Sequence, residues 1–198
     1  MAGTDLAPLG LAAGAAVASG VRVYATVAAL GFLDRLGVIH LPPGLEVLGH
    51  PAVIGLASVL YVAEFVADKV PAFDSVWDAV HTFIRVPAAA VLAFAMLGEV
   101  AEPWRTGAAL VCGSLALSAH GLKSGARLAV NASPEPFSNW ALSFGEEFVV
   151  AVLLWTAVAH PLVSLGIAAA VLLAGVLAAR WIIRVLRRLS RRPEAAPG

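Results

Sequence analysis

The stretch LAPLGLAAGAAVASGVRVYATVAALGFL, Leu6 to Leu33, carries one charged residue, Arg22, in an otherwise apolar run. As an α-helix rising about 1.5 Å per residue it is long enough to cross a hydrocarbon layer about 30 Å thick. No basic segment precedes it, and it is too long for the apolar core of a cleavable leader, so it is expected to stay in the mature chain. Working outward, the remaining sequence repeats the pattern. Apolar runs cover about 52–67, 73–98, 106–131, 137–160 and 162–186, separated by Pro42-Pro43-Gly44, Asp68-Lys69-Val70-Pro71, the Glu99–Arg105 loop, Ser133-Pro134-Glu135-Pro136 and Pro161.

Composition agrees with these spans. Of 198 residues 60% are hydrophobic and 13% charged, and the mean hydropathy is +0.88. A soluble domain carries about a quarter charged residues because its surface faces water. Spans of a β-barrel would instead be short, alternating and rich in aromatics. The expected fold is therefore all-α: one polytopic transmembrane bundle over 1–198, with about six helices. The third run leaves two placements open, because residues 73–86 are amphipathic and either span or lie at the interface.

Net charge is zero, but Arg180, Arg184, Arg187, Arg188, Arg191 and Arg192 crowd the C-terminal end. By the positive-inside tendency this end, with a basic tail over 187–198, is expected in the cytoplasm against anionic headgroups. Six crossings then put the N-terminus on the same side; five, with the first half of the third run at the interface, reverse it. Cys112 is the single cysteine, which excludes an intrachain disulfide and a thiolate metal cluster.

Two short signatures recur in order. Ser19-Gly20-Val21-Arg22 matches Ser124-Gly125-Ala126-Arg127, and Glu64-Phe65-Val66 matches Glu147-Phe148-Val149. They suggest repeat halves at 6–98 and 106–186, and three helices in each would make the repeat inverted, a common transporter architecture.

Polar residues follow helical spacing. Asp74, Asp78, His81 and Arg85 share one face, as do His120, Ser124, Arg127 and Asn131 with Lys123 beside them. Asn139, Ser143 and Glu146 start a stripe with Glu147 adjacent; Ser58, Tyr61, Glu64 and Asp68 form another. An ionised group at the bilayer centre costs at least about 2.5–3.5 kcal/mol, so such residues turn inward and pair. The simplest pairing joins Arg22 to Glu64, and Arg127 to Glu146 or Glu147. The bland alternatives are pairs that only fix helix register and, for Asp74–Arg85, the wet face of an interfacial helix. Gly10, Gly14, Gly121 and Gly125 read as close-packing positions.

No zinc helix, phosphate loop or nucleophile elbow is present. No ligand spacing makes a metal site of His81, His120, Glu146 and Glu147, and no cofactor or nucleic-acid partner is indicated. Three functions stay open: a small transporter or flippase for an anionic substrate, a non-transporting scaffold or assembly protein, and an intramembrane enzyme. In the first, Arg22, Arg85, Lys123 and Arg127 receive the anion. Glu64, Asp74, Asp78, His81, His120, Glu146 and Glu147 then couple protons or balance charge. A homo-oligomer is compatible with all three.

Ser19-Gly20-Val21-Arg22-Val23, the segment from Val70-Pro71 through Asp74, Asp78 and Val86-Pro87-Ala88, and the Gly121–Arg127 block resemble DUF4126, a bacterial membrane-protein family, over about 8–186. The resemblance implies a multi-span architecture in the bacterial inner membrane and supplies no catalytic residues.

Overall fold

The computed structural model describes residues 6–132 and 137–190, apart from the side chains of residues 71, 72 and 75. The Ser133–Pro136 break and Arg191 and Arg192 lie outside the described residues. Six helices follow in order: α1 (Ala7–Arg35), α2 (Pro51–Ala67), α3 (Pro71–Met96), α4 (Glu102–Asn131), α5 (Phe137–Ala159) and α6 (Pro161–Leu189), with one 3-10 turn at Glu46–Gly49 before α2. The apolar runs read from sequence match these helices to within a few residues at each end. Prolines at the first turns of α2, α3, α4 and α6 set several of the starts, because a first-turn N–H needs no helical partner.

Burial is inverted relative to a water-soluble protein. Arg22, Arg85 and Glu64 are 0% exposed, whereas Phe83 is 82% and Trp104 77% exposed. Four helical segments are long and apolar enough to cross a membrane: Ala7–Arg35, Val76–Met96, Phe137–Ala159 and Pro161–Leu189; α2 is apolar but shorter. The polar stripe of α4 excludes it on composition, although at 30 residues it has the length.

Helix α1 packs against all five other helices. Its residues are small enough for burial on every side, and Ala12 through Val23 are all buried. A Cβ on Gly14 would stand 2.5 Å from the Ala157 Cβ and 2.5 Å from the Ser164 Oγ, so glycine is what lets these backbones touch. Gly10 meets Pro161 in the same way. The packing role expected for Gly121 and Gly125 is corrected, since neither has a neighbour within 4 Å of a built Cβ.

Helix α1 is broken at a point that the apolar run over 6–33 does not mark. Arg22 is extended (φ −148°, ψ 95°) between two helical halves, 7–21 and 23–35. Gly14 lies against Ala157, and Phe32 and Leu33 share a cavity with Trp155 and Val158. Both halves therefore run along the same stretch of α5. A straight helix would hold residues 14 and 33 roughly 28 Å apart, so the chain turns back at Arg22. Each half, at roughly 20 Å, is too short to span alone.

The turn also revises the placement of the termini. Gly10 sits beside Pro161, the start of α6, and α6 runs parallel to α4: Leu165 and Ala168 share a cavity with Ala108 and Val111, and Gly175 further on meets Ser118. The start of α1 is thus at the opposite end of the bundle from the arginine-rich end of α6, not at the same end. Helix α3 is continuous through Pro87. Asp74, Asp78, His81 and Arg85 are all buried, which replaces the interfacial reading of that stripe with an inward-facing one.

Candidate functional site

Inward stripes from five helices meet around the break in α1. Arg22 lies 2.6 Å from Asp68, 3.0 Å from Glu146 and 2.9 Å from Glu147, and its Nη2 also donates to Ser143 Oγ at 3.2 Å. The expected Arg22–Glu64 pair is not formed. Glu64 pairs instead with Arg85 on α3, while Arg22, at the tip of the turn, reaches Asp68 one helical turn further along and Glu146 and Glu147 on α5. The expected Arg127–Glu146 pair is present: Nε donates to Oε1 at 2.8 Å and Nη2 to Oε2 at 2.8 Å, a bidentate fork.

Asp68 was read as one end of a stripe and proves to be a hub. Its carboxylate is shared by Arg22, Arg127 at 3.1 Å and Lys123 at 3.6 Å, and its carbonyl accepts from Arg127 Nη1 at 2.7 Å. The available signal was its i+4 spacing from Glu64. Lys123 stands centrally, 3.4 Å from Glu146, 3.7 Å from Asp78 and 3.9 Å from Glu64. Its Nζ also donates to the Val21 carbonyl at 3.2 Å, a carbonyl freed by the break. That contact satisfies a backbone acceptor inside the bundle and puts a cation at the negative end of the first half-helix.

On the α3–α4 side, Arg85 Nη1 donates to Asp78 Oδ1 at 3.0 Å and to His120 Nδ1 at 2.5 Å. An arginine donor at Nδ1 leaves that nitrogen as an acceptor, so the proton of the neutral ring sits on Nε2 and points to Thr82 Oγ1, 2.7 Å away. Thr82 Oγ1 in turn donates to the Asp78 carbonyl at 3.0 Å. His81 stands apart from the ions: it stacks on Trp77, with ring centroids 4.3 Å apart, and contacts the Tyr24 hydroxyl at 3.0 Å. Tyr24, Thr82 and Tyr61, which donates to Glu147 at 2.8 Å, were not singled out as site residues from the sequence.

Among the described residues, ten charged side chains therefore form one connected cluster: Arg22, Arg85, Lys123 and Arg127 against Glu64, Asp68, Asp74, Asp78, Glu146 and Glu147. Written fully ionised, it leaves two negative charges unmatched. Lys69, at the α2–α3 turn, rests 2.9 Å above the Phe65 ring, and desolvation lowers its ammonium from the ordinary lysine value. Counting it still leaves one negative charge over. Glu64 Oε2 and Asp68 Oδ1 have no hydrogen-bond partner and belong to residues that are 0% exposed. Among the described residues, no group of three or more His, Cys, Asp or Glu side chains is arranged to hold a metal ion.

A cavity of about 360 Å³ opens between α3 and α4 beside this cluster, with Asp74, Asp78, Thr82, His120, Ser124 and Arg127 on its inner wall. A second, apolar cavity of about 430 Å³ lies across α4, against α1, α5 and α6, and Lys123 and Glu146 reach it.

Apolar helices that leave aromatic side chains outside and ion pairs inside define a helical membrane protein with a polar interior. The chain belongs to a family described as a domain of unknown function, DUF4126, which matches residues 9–181. Neither a curated protein nor a solved structure matches the chain.

Proposed function

We propose that the protein is a small proton-coupled transporter of the bacterial cytoplasmic membrane, with the buried ionic cluster as its coupling site. The observation that carries this reading is the excess of carboxylates over bases inside the bundle. An unmatched buried charge is costly in a low dielectric, so the excess calls for protons. Asp68 and Glu146 are each shared by Arg22 and Arg127, so a proton on either loosens the tie between the turn in α1 and helices α4 and α5. Proton loss draws them together again. Protonation thereby biases the packing of a discontinuous helix, which is the kind of element alternating access uses.

An anionic cargo fits this geometry less well. Each of the four bases is already engaged by carboxylates, so an incoming anion competes with six acids. With the basic end of α6 placed in the cytoplasm, the Asp68 and Asp74 end of the cluster faces that side. The scaffold reading keeps one specific support, the dense pairing of all four bases, which would also serve to fix helix register.

Reconstitution decides between them. Proteoliposomes with an imposed pH gradient and an internal pH dye are challenged with a panel of small cations, anions and neutral solutes. A solute that collapses the gradient with wild type, and fails with Asp68→Asn/Glu146→Gln or with empty vesicles, supports coupling. Gradients that stay intact with every solute favour the scaffold.

A further inference from the structure

The α3–α4 cavity has a chemistry of its own once its polar atoms are assigned. All three Arg127 guanidinium nitrogens are committed: Nε and Nη2 to Glu146, Nη1 to the Asp68 carbonyl. His120 is held between Arg85 and Thr82. Ser124 Oγ donates to Asp78 Oδ2 at 2.9 Å. Asp74 is different. Its Oδ2 accepts from Asn131 Nδ2 at 2.9 Å, but Oδ1 has no hydrogen-bond partner although the residue is 0% exposed. Arg127 Nε stands 3.9 Å from that oxygen, beyond hydrogen-bond reach. Asp74, one of the residues that line the cavity, thus carries a spare carboxylate acceptor, next to a cluster that is acidic in sum.

The outer rim has the opposite character. Leu117 is 50% and Leu128 64% exposed, and Ala79 and Gly121 beside them are exposed as well. These residues lie on the apolar outer face of α3 and α4, so the opening is lateral, toward hydrocarbon. About 360 Å³ falls in the range of small-molecule sites. An anion meets donors that already serve carboxylates and carbonyls, and an uncharged apolar molecule leaves Asp74 Oδ1 unpaired.

We propose that this cavity binds an organic ammonium with an apolar body, its charge against Asp74 and Asp78 and its body against Leu117 and Leu128, entering sideways from the membrane. This deepens the transport reading by naming the class of cargo, and as a transport site it rests on that reading. Cation binding in exchange for protons keeps the cluster balanced: a positive charge arrives beside Asp74 as a proton leaves the carboxylates.

Binding is measured on the full chain in nanodiscs, by calorimetry, with three probes of similar size: benzyltrimethylammonium, neutral neopentylbenzene and benzenesulfonate. The expected result is saturable binding of the ammonium above empty nanodiscs, none of the sulfonate, and at least ~10-fold weaker ammonium binding by Asp74→Asn. Gly121→Leu provides a second variant that leaves every ion in place. Gly121 lines the cavity and has no neighbour within 4 Å of a built Cβ, so the added side chain fills the site and is also expected to weaken binding about tenfold. Ammonium binding unchanged in both variants, or a preference for the neutral or anionic probe, overturns the proposal. Because the assay needs no gradient, the two readings fail separately. Ammonium binding without gradient collapse keeps the site and removes the transporter; collapse by anions alone keeps a transporter and removes this cargo.

Discussion

At the scale of single residues, the cluster shows why charge pairs resist assignment from sequence even when their members do not. That Arg22, Arg85, Arg127, Glu64 and Glu146 turn inward follows from the cost of leaving them in hydrocarbon. Which acid each arginine reaches depends on helix rotation and the turn at Arg22, and neither is written in residue spacing. Asp68 was hidden for the same reason: it closes an apolar run and resembles a boundary. The revised pairing has a direct test in charge swaps read by expression and by thermal unfolding in detergent. Arg85→Glu alone strands Glu64 and Asp78 beside a new acid and is expected to cost about 3–5 kcal/mol, the range for breaking a buried pair. Combining it with Glu64→Arg restores the opposed charges and should recover part of the loss. Arg22→Glu with Glu64→Arg should recover none, because Arg22 sits on Asp68, Glu146 and Glu147. Recovery in the second combination and not the first would reinstate the Arg22–Glu64 pair.

At the scale of elements, all six helices were legible because apolar length and proline punctuation are local signals. The break in α1 was not. Val21, Arg22 and Val23 carry no proline and no glycine at the extended residue itself. The turn is set by tertiary contacts: Arg22 drawn to three carboxylates, Lys123 on the Val21 carbonyl, and Gly20 in contact with the Ala116 carbonyl and, through a built Cβ, 2.8 Å from the Ala119 Cβ. The matching Ser-Gly-x-Arg in α4 has none of this. Gly125 faces open space and the helix runs on through Arg127, so the same Ser-Gly-x-Arg pattern takes two conformations in two sets of neighbours. Spin labels at Leu9 and Leu36, both exposed, report on the turn, after Cys112→Ser removes the native thiol. A continuous helix would hold the two sites roughly 40 Å apart. The folded-back helix brings both to the Pro161 end of the bundle, and an electron–electron distance of about half that value or less is expected. A distance near the straight-helix value would mean that α1 is a single span.

At the scale of the whole molecule, the turn changes the topology that counting apolar runs suggests. Six runs read as six crossings return the two termini to one side of the membrane. With α1 doubled back on itself the chain enters and leaves by the same end before α2 begins. The five helices that follow then carry it to the opposite face. Three observations agree on this: Gly10 against Pro161, Phe32 and Leu33 with Trp155 and Val158, and Gly175 against Ser118. The arginines of α6 supply the direction, since Arg180, Arg184, Arg187 and Arg188 are at the end expected in the cytoplasm. Reporter fusions at the two termini of the full chain, one active only in the cytoplasm and one only outside it, make the comparison. The C-terminal fusion is expected to be cytoplasmic and the N-terminal fusion external. Reversing charges at the end of α6 by Arg184→Glu/Arg187→Glu/Arg188→Glu should weaken the preference without bringing the termini to one side, because their relation is set by packing around α1 and not by tail charge. Termini found together in both forms would show that α1 crosses as one straight helix. The ionic cluster at its centre would then have to be held by a different arrangement of helices.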